Sequence, residues 1–218
     1  MRLFLLDGPV FRFLSFVYDL LILNITYVIT CLPVVTAGAA TSALYRTMLD
    51  RRYGRDAGVR VYFRFFRDNL RQSTPRYLLF LLIGALLIFD IRYTRSGDIP
   101  MRRVLVPVLL LLLIALLILS SWVLALTGQF NNSFRGTLKN AALLAPGHPL
   151  ITLLLLLRFL PVLLAFGSAE LFLAASFLFF FFYFSLAAWL AAIPMSKLFL
   201  TLMSPEEAAE RTDKKLPR

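Results

Sequence analysis

A single cysteine, Cys31, and a single histidine, His148, stand in 218 residues. One cysteine closes no intrachain disulfide, and neither residue has neighbours at metal-ligand spacing. A disulfide scaffold and a cysteine or histidine metal centre are therefore excluded. Charge is scarce: Asp, Glu, Lys and Arg make up 16% of the chain, against about 25% in a soluble domain. Acid is scarcer than base, 12 residues against 23, for a net charge of +11. Enzyme signatures are missing as well. There is no phosphate-cradling Gly-rich loop, no His-Glu pair for zinc, no nucleophile elbow, and no carboxylate pair at helical spacing in the apolar segments. Neither a catalytic activity nor a cofactor is expected of this chain, and ATP hydrolysis would have to come from a partner.

What is present is apolar. Hydrophobic residues reach 60%, where a soluble domain has roughly 45–50%. That excess excludes a disordered tail and an ordinary soluble enzyme. It also changes the meaning of the positive charge, from a nucleic-acid signal to basic loops flanking membrane spans. No base-stacking or zinc module surrounds the arginines, so nucleic acid is not an expected partner. The length suits one integral membrane domain, residues 1–218.

A crossing needs about 20 mostly apolar residues. Residues 104–134 and 171–196 contain no charge at all. Residues 75–93, 149–167 (with Arg158 at the middle) and 13–33 (with Asp19 and Asn24) complete five crossings. A sixth candidate, 34–50, is poor in large apolar residues but rich in small ones. Gly38, Ala39, Ala40, Ser42 and Ala43 would admit a neighbouring helix closely. Pro33 ends the helix before it, so 13–50 reads as a hairpin turning at 33/34. Ala37-Gly38-Ala39 fits a signal-peptide cleavage pattern, but the cut would leave a leader past the usual 15–30 residues, with Asp19 inside its apolar stretch. The segment is read as retained. The predicted fold is all-α: a polytopic transmembrane helical bundle of five to six crossings with amphipathic cytoplasmic helices. Its parts are the hairpin 13–50, an amphipathic helix 59–73, two crossings in 75–127, an amphipathic helix 130–145 and two crossings in 149–196.

Orientation follows from Lys and Arg. The segment 51–76 carries eight arginines, the tail after Ile193 carries five basic residues, and 128–148 carries Arg135 and Lys139. The opposite side has Arg92, Arg95, Arg102 and Arg103. The first group, and with it the C-terminus, is expected in the cytoplasm. With six crossings the N-terminus is also inside; with five it is outside.

Within 59–73, Val59, Tyr62, Phe63, Phe66 and Leu70 form one helical stripe, while Arg60, Arg64, Arg67 and Arg71 form another. Two readings stand: an interfacial helix on anionic membrane lipid, or a docking helix for a cytoplasmic partner. Residues 130–145 show a weaker version, with Phe130, Phe134, Leu138 and Ala142 on one face. The heptads 66–72 and 134–140 echo one another, which suggests two similar halves.

The run Gly8-Pro9, Asp19-Leu20, Leu23-Asn24 and Leu32-Pro33-Val34-Val35-Thr36-Ala37-Gly38-Ala39-Ala40-Thr41-Ser42-Ala43-Leu44-Tyr45, followed by Phe63, Phe66, Asn69 and Gln72, is distinctive. It resembles the YesL-like family of bacterial integral membrane proteins, over residues 8–73. The resemblance implies a small multi-pass protein of the bacterial cell membrane with no assigned activity. It also implies a link to sugar uptake, because such proteins are often encoded beside carbohydrate importers and polysaccharide-degrading enzymes.

Ionisable groups inside a membrane are candidate functional residues. In a hairpin turning at 33/34, Asp19 lies within one turn of Arg46 in depth, so an ion pair between them is expected. Arg158 cannot easily snorkel and should face the bundle interior, with Asp19, Asn24 or Asp90 as partner. Two functions remain open. One is an accessory protein assisting or regulating a carbohydrate importer, docked through Arg60, Arg64, Arg67 and Arg71. The other is a small transporter or channel subunit with a cavity near Asp19, Asn24 and Arg158.

Overall fold

The computed structural model describes residues 9–96, 101–130, 132–203 and 206, and among them the chain is helical with no strand. Helix α1 (Pro9–Cys31) passes through a 3-10 turn (Val34–Thr36) into α2 (Ala37–Arg52). Helices α3 (Val59–Ser96), α4 (Arg102–Gln129) and α5 (Phe134–Gly147) follow. A 3-10 turn (Leu157–Phe159) joins α6 (Pro149–Leu156) to α7 (Leu160–Gly167), and a π turn (Phe179–Tyr183) joins α8 (Ala169–Leu178) to α9 (Phe184–Leu202). Five segments are long and apolar enough to cross a membrane: Phe13–Cys31, Val59–Ser96, Arg102–Gln129, Pro149–Gly167 and Ala169–Leu202. The fold is an all-α polytopic helical bundle.

Helix α2 is not among the five, and its place accounts for its composition. It is the inner helix, packed against α3, α9, α4 and α1, with 12 of its 16 residues buried. A helix walled in by protein needs small side chains rather than lipid-compatible ones. A Cβ on Gly38 would sit 2.8 Å from Tyr77 Cγ and closer still to Tyr77 Cβ. One on Gly128 of α4 would sit 2.5 Å from the Ser42 carbonyl oxygen. Hydroxyls tie the three backbones together: Ser42 Oγ donates to the Leu124 carbonyl at 2.9 Å, and Ser73 Oγ donates to Ser42 Oγ at 3.0 Å. Ala37-Gly38-Ala39 thus opens the inner helix, with Gly38 and Ala39 buried.

Chain direction alternates from α1 through α4. Tyr27 meets Thr41 and Asp19 meets Arg51; Gly38 meets Tyr77; Arg76 meets Thr127 and Gly84 meets Leu116. Helix α1 runs antiparallel to the last long segment in one continuous register. Asn24 bonds the Phe180 carbonyl, Ser185 bonds the Leu20 carbonyl, and the Phe16 and Trp189 rings meet edge to face at 5.2 Å.

Several predicted elements differ from those observed. Residues 59–73 are not a separate helix closed by Pro75, because α3 runs through Pro75 without a break. An internal proline forfeits one helical hydrogen bond and costs about 3 kcal/mol in isolation; here packing on α2 and α4 holds both sides of it. The buried face of α3 is also not the aromatic stripe. It follows Tyr62, Asn69, Ser73, Arg76 and Phe80, while Phe63 is 40% exposed. The second amphipathic helix begins at Phe134 rather than at 130, since Ser133 Oγ accepts from the Gly136 N–H and caps it. Its buried residues are Thr137, Ala141 and Ala145. Phe130 instead adopts extended backbone, closes α4 and packs on Phe199. The two echoing heptads do not organise similar halves: 66–72 lies mid-helix in α3, whereas 134–140 opens a short helix that stops at Gly147.

Candidate functional site

Asp19 is paired, but not with Arg46. Its Oδ2 accepts from Arg51 Nη2 at 2.6 Å, and the Arg51 guanidinium lies 5.0 Å from the centre of the Phe16 ring. The reason is register. The cross-helix contacts Tyr27–Thr41 and Asp19–Arg51 centre on Val34 and Val35, inside the 3-10 segment, so the residue facing Asp19 lies further along α2 than a hinge at 33/34 would place it. Arg46 goes to α4. Its Nη1 donates to the carbonyls of Gly128 (3.0 Å) and Gln129 (3.3 Å), which lack donors within the helix and carry the negative end of its dipole. Arg46 Nε also lies 3.7 Å from Asp50, a buried carboxylate that Arg55 approaches at 3.8 Å. A double-mutant cycle on Asp19→Asn and Arg51→Gln should give a coupling of about 0.5–1 kcal/mol, because the pair is partly exposed. Asp19→Asn and Arg46→Gln should add without coupling. Unfolding in mixed micelles measures both, and coupling through Arg46 alone would restore the hairpin hinge at 33/34.

Asn24 is fully buried and every part of its amide is used. Nδ2 donates to the carbonyls of Phe179 (3.0 Å) and Phe180 (2.7 Å), and Oδ1 accepts from the Ser185 N–H at 2.9 Å. These groups lie at or beside the π turn, where backbone bonding departs from the regular i→i+4 ladder. Asn24 is thus a stitch between α1 and the π turn.

Arg158 sits in the 3-10 turn between α6 and α7. Pro161 has no N–H to offer the Leu157 carbonyl, which accepts from the Leu160 N–H within the 3-10 turn and from Tyr183 Oη at 2.7 Å. The guanidinium donates to Ser120 Oγ at 3.1 Å and lies 4.4 Å from the centre of the Phe159 ring. None of the expected partners reaches it: Asp19 holds Arg51, Asn24 is occupied, and Asp90 is exposed on the far half of α3. Arg158 Nε is buried without a hydrogen-bond partner among the described residues. The side chain borders an open groove of about 450 Å³, shared with Tyr27, Cys31, Thr41, Tyr77 and Phe184. Of the predicted cavity residues Asp19, Asn24 and Arg158, only Arg158 lines it.

Arg60, Arg64, Arg67 and Arg71 are all exposed and share one stripe of α3. The rest of the helix is packed into protein: Tyr62 Oη bonds Thr30 Oγ1 at 2.6 Å, and the Phe65 ring meets the guanidinium groups of Arg46 at 4.9 Å and Arg64 at 5.3 Å. The aromatic residues expected in the lipid headgroup layer are therefore partly spent on the core.

Arg76, in the sequence one of eight arginines in 51–76, has a structural place of its own. It is 7% exposed. Nη1 donates to Thr127 Oγ1 and Nη2 to the Asn132 carbonyl, both at 2.7 Å, and Gln72 Nε2 donates to the same carbonyl at 3.2 Å. It lies at i+3 from Ser73 on the buried face of α3, a face that hydropathy does not mark. Among the described residues, no group of three or more His, Cys, Asp and Glu gathers as a metal site.

Fold and site together define a small polytopic helical bundle of membrane type, with a close-packed inner helix and a basic end. Residues 20–91 match the family described as a protein of unknown function, DUF624, which is about a third of the chain. The match covers the end of α1, all of α2 and most of α3. No curated protein and no solved structure matches.

Proposed function

We propose that this chain is a non-catalytic protein of the bacterial cell membrane, accessory to carbohydrate uptake, which assists or regulates a sugar importer by docking through the first half of α3. The observation that carries the reading is the uncovered stripe of Arg60, Arg64 and Arg67 on a helix whose other face is packed into the bundle. Such a stripe suits an acidic protein surface, where charge complementarity sets encounter rate and partner choice. The bundle centre is filled by Ala39, Ala40, Ala43, Trp122, Ala191 and Met195, each fully buried, which favours a helper over a conduit. The carbohydrate link rests on the resemblance over residues 8–73. Affinity purification in mild detergent should recover importer subunits with the wild-type chain, and the triple change Arg60→Glu, Arg64→Glu, Arg67→Glu should release them. Retention by the triple variant, or no importer subunit at all, would defeat the proposal.

In this reading the basic end and the C-terminus face the cytoplasm. In a Cys31→Ser background, cysteine at Gly58 or Glu206 should resist an impermeant thiol reagent in intact cells, and cysteine at Ser96 should react. The opposite pattern reverses the orientation.

The Arg158 groove favours a second reading, a small transporter. Interrupted helices beside a cation are how many transporters build a site, and the 3-10 and π turns meet here through Tyr183. Solute uptake by vesicles holding the purified chain alone, lost in Arg158→Gln, would decide for it.

A further inference from the structure

A second groove, of about 410 Å³, lies between the middle of α3 and the start of α5. Its rim is cationic, formed by Arg71, which is exposed, and Arg76, with Gln72 between them. Its wall is apolar, made of Pro75, Leu79 and Phe134. Arg76 is nearly buried and permanently charged, yet its described partners are neutral: a hydroxyl, a carbonyl and the Phe134 ring at 5.9 Å. A buried cation without a counter-ion is costly. No carboxylate lies within ion-pair distance of Arg71 or Arg76 among the described residues. The two arginines therefore present uncompensated charge to whatever fills the groove.

The place of the groove selects the occupant. On α3, Arg67, Asp68, Arg71 and Arg76 precede a run, 77–89, that has no charged residue. On α4 the apolar run ends at Thr127 to Gln129, and Thr127 is the residue that Arg76 contacts. The cationic rim thus lies where the apolar belt begins, the depth of a lipid headgroup. Leu79, one turn further into the belt, is 43% exposed and faces the place an acyl chain would take.

We propose that this groove is a specific headgroup site for an anionic membrane phospholipid, with Arg71 and Arg76 on its phosphate and Leu79 against its acyl chain. Guanidinium groups match phosphate oxygens in geometry as well as in charge. The bound phosphate supplies the counter-ion that Arg76 lacks. Since Arg76 also holds the α4–α5 junction through Asn132, occupancy steadies that junction. This site takes Arg71, the last arginine of the exposed stripe, whereas Arg60, Arg64 and Arg67 do not line it.

The test uses the full chain in mild detergent, titrated with phosphatidylglycerol, with phosphatidylcholine and with water-soluble glycerol phosphate, and read by native mass spectrometry. Arg71→Gln is the decisive variant, since Arg76 is also structural; Arg64→Gln is the control on the same stripe. Phosphatidylglycerol should be retained in preference to phosphatidylcholine as a single tight adduct. Its affinity should fall about tenfold in Arg71→Gln and hold in Arg64→Gln. Equal retention of the two lipids, no effect of Arg71→Gln, or an equal loss in Arg64→Gln would overturn the proposal. Glycerol phosphate binding as tightly as phosphatidylglycerol would also overturn it, by assigning the groove to a soluble anion.

Discussion

Gly38→Ala should destabilise the bundle by about 1–3 kcal/mol, the usual cost of overpacking a tight interface, and Gly38→Val should prevent folding. The new Cβ would overlap Tyr77 Cβ, lie 2.8 Å from Tyr77 Cγ and stand 3.1 Å from the Ser73 carbonyl oxygen. None of these atoms is the free end of a flexible side chain, so α2 and α3 must separate. Separation breaks the Ser42–Ser73 bond and disturbs the Ser42–Leu124 bond, both of which depend on the same approach. Helix propensity works in the opposite direction, since Ala is favoured over Gly by up to about 1 kcal/mol inside a helix. Gly84 isolates that opposing term: its added Cβ would meet Leu116 Cδ2 at 3.5 Å, an ordinary contact. Gly84→Ala should therefore be neutral or stabilising. Thermal unfolding of the two variants in one detergent gives the comparison, and equal melting temperatures would show that α2 and α3 do not approach as described.

Asn24→Leu should cost about 2–4 kcal/mol. The replacement has similar volume and suits an apolar surrounding, so by composition alone it looks harmless. It removes two donors from the carbonyls of Phe179 and Phe180 and the acceptor from the Ser185 N–H, all at the π turn. Each buried backbone group left unpaired costs about 1–3 kcal/mol, although interhelical hydrogen bonds in membrane proteins often measure less because the groups find other partners. Asn24→Asp should be at least as harmful, because a carboxylate would face two carbonyl oxygens. Ser185→Ala removes only the hydroxyl bond to the Leu20 carbonyl and should cost less than Asn24→Leu. A loss below about 0.5 kcal/mol for Asn24→Leu would mean that the π turn closes into regular helix without it.

The docking stripe and the phospholipid groove share α3, where the arginines before residue 77 meet the apolar run after it. The Arg158 groove is lined instead by α1, α2, Tyr77 of α3 and the turn that holds Pro161. Asp19 and Asn24, read beforehand as members of a cavity, serve packing instead, one holding α2 through Arg51 and the other holding the π turn.

The five apolar segments were legible in the sequence, because about twenty mostly apolar residues in a row have no stable destination other than a lipid-facing helix. The small-residue pattern of 34–50 was legible too, and Gly38, Ala39, Ala40, Ser42 and Ala43 are buried as that pattern implies. Ionisable side chains among apolar neighbours could be singled out without a structure; their partners could not. Whether Asp19 finds Arg46 or Arg51 depends on how many residues a turn consumes, and the 3-10 segment at Val34–Thr36 moved the register. The inner position of α2 needed the bundle as well, since a helix wrapped by protein carries no lipid signal in its composition. The buried face of α3 was misread for the same reason: hydropathy assigns Asn69, Ser73 and Arg76 to water, but Ser73 and Arg76 find their partners on α2, α4 and the α4–α5 junction. Local chemistry decided which segments are helices and which are apolar, whereas the packing of one helix against another decided which polar groups meet.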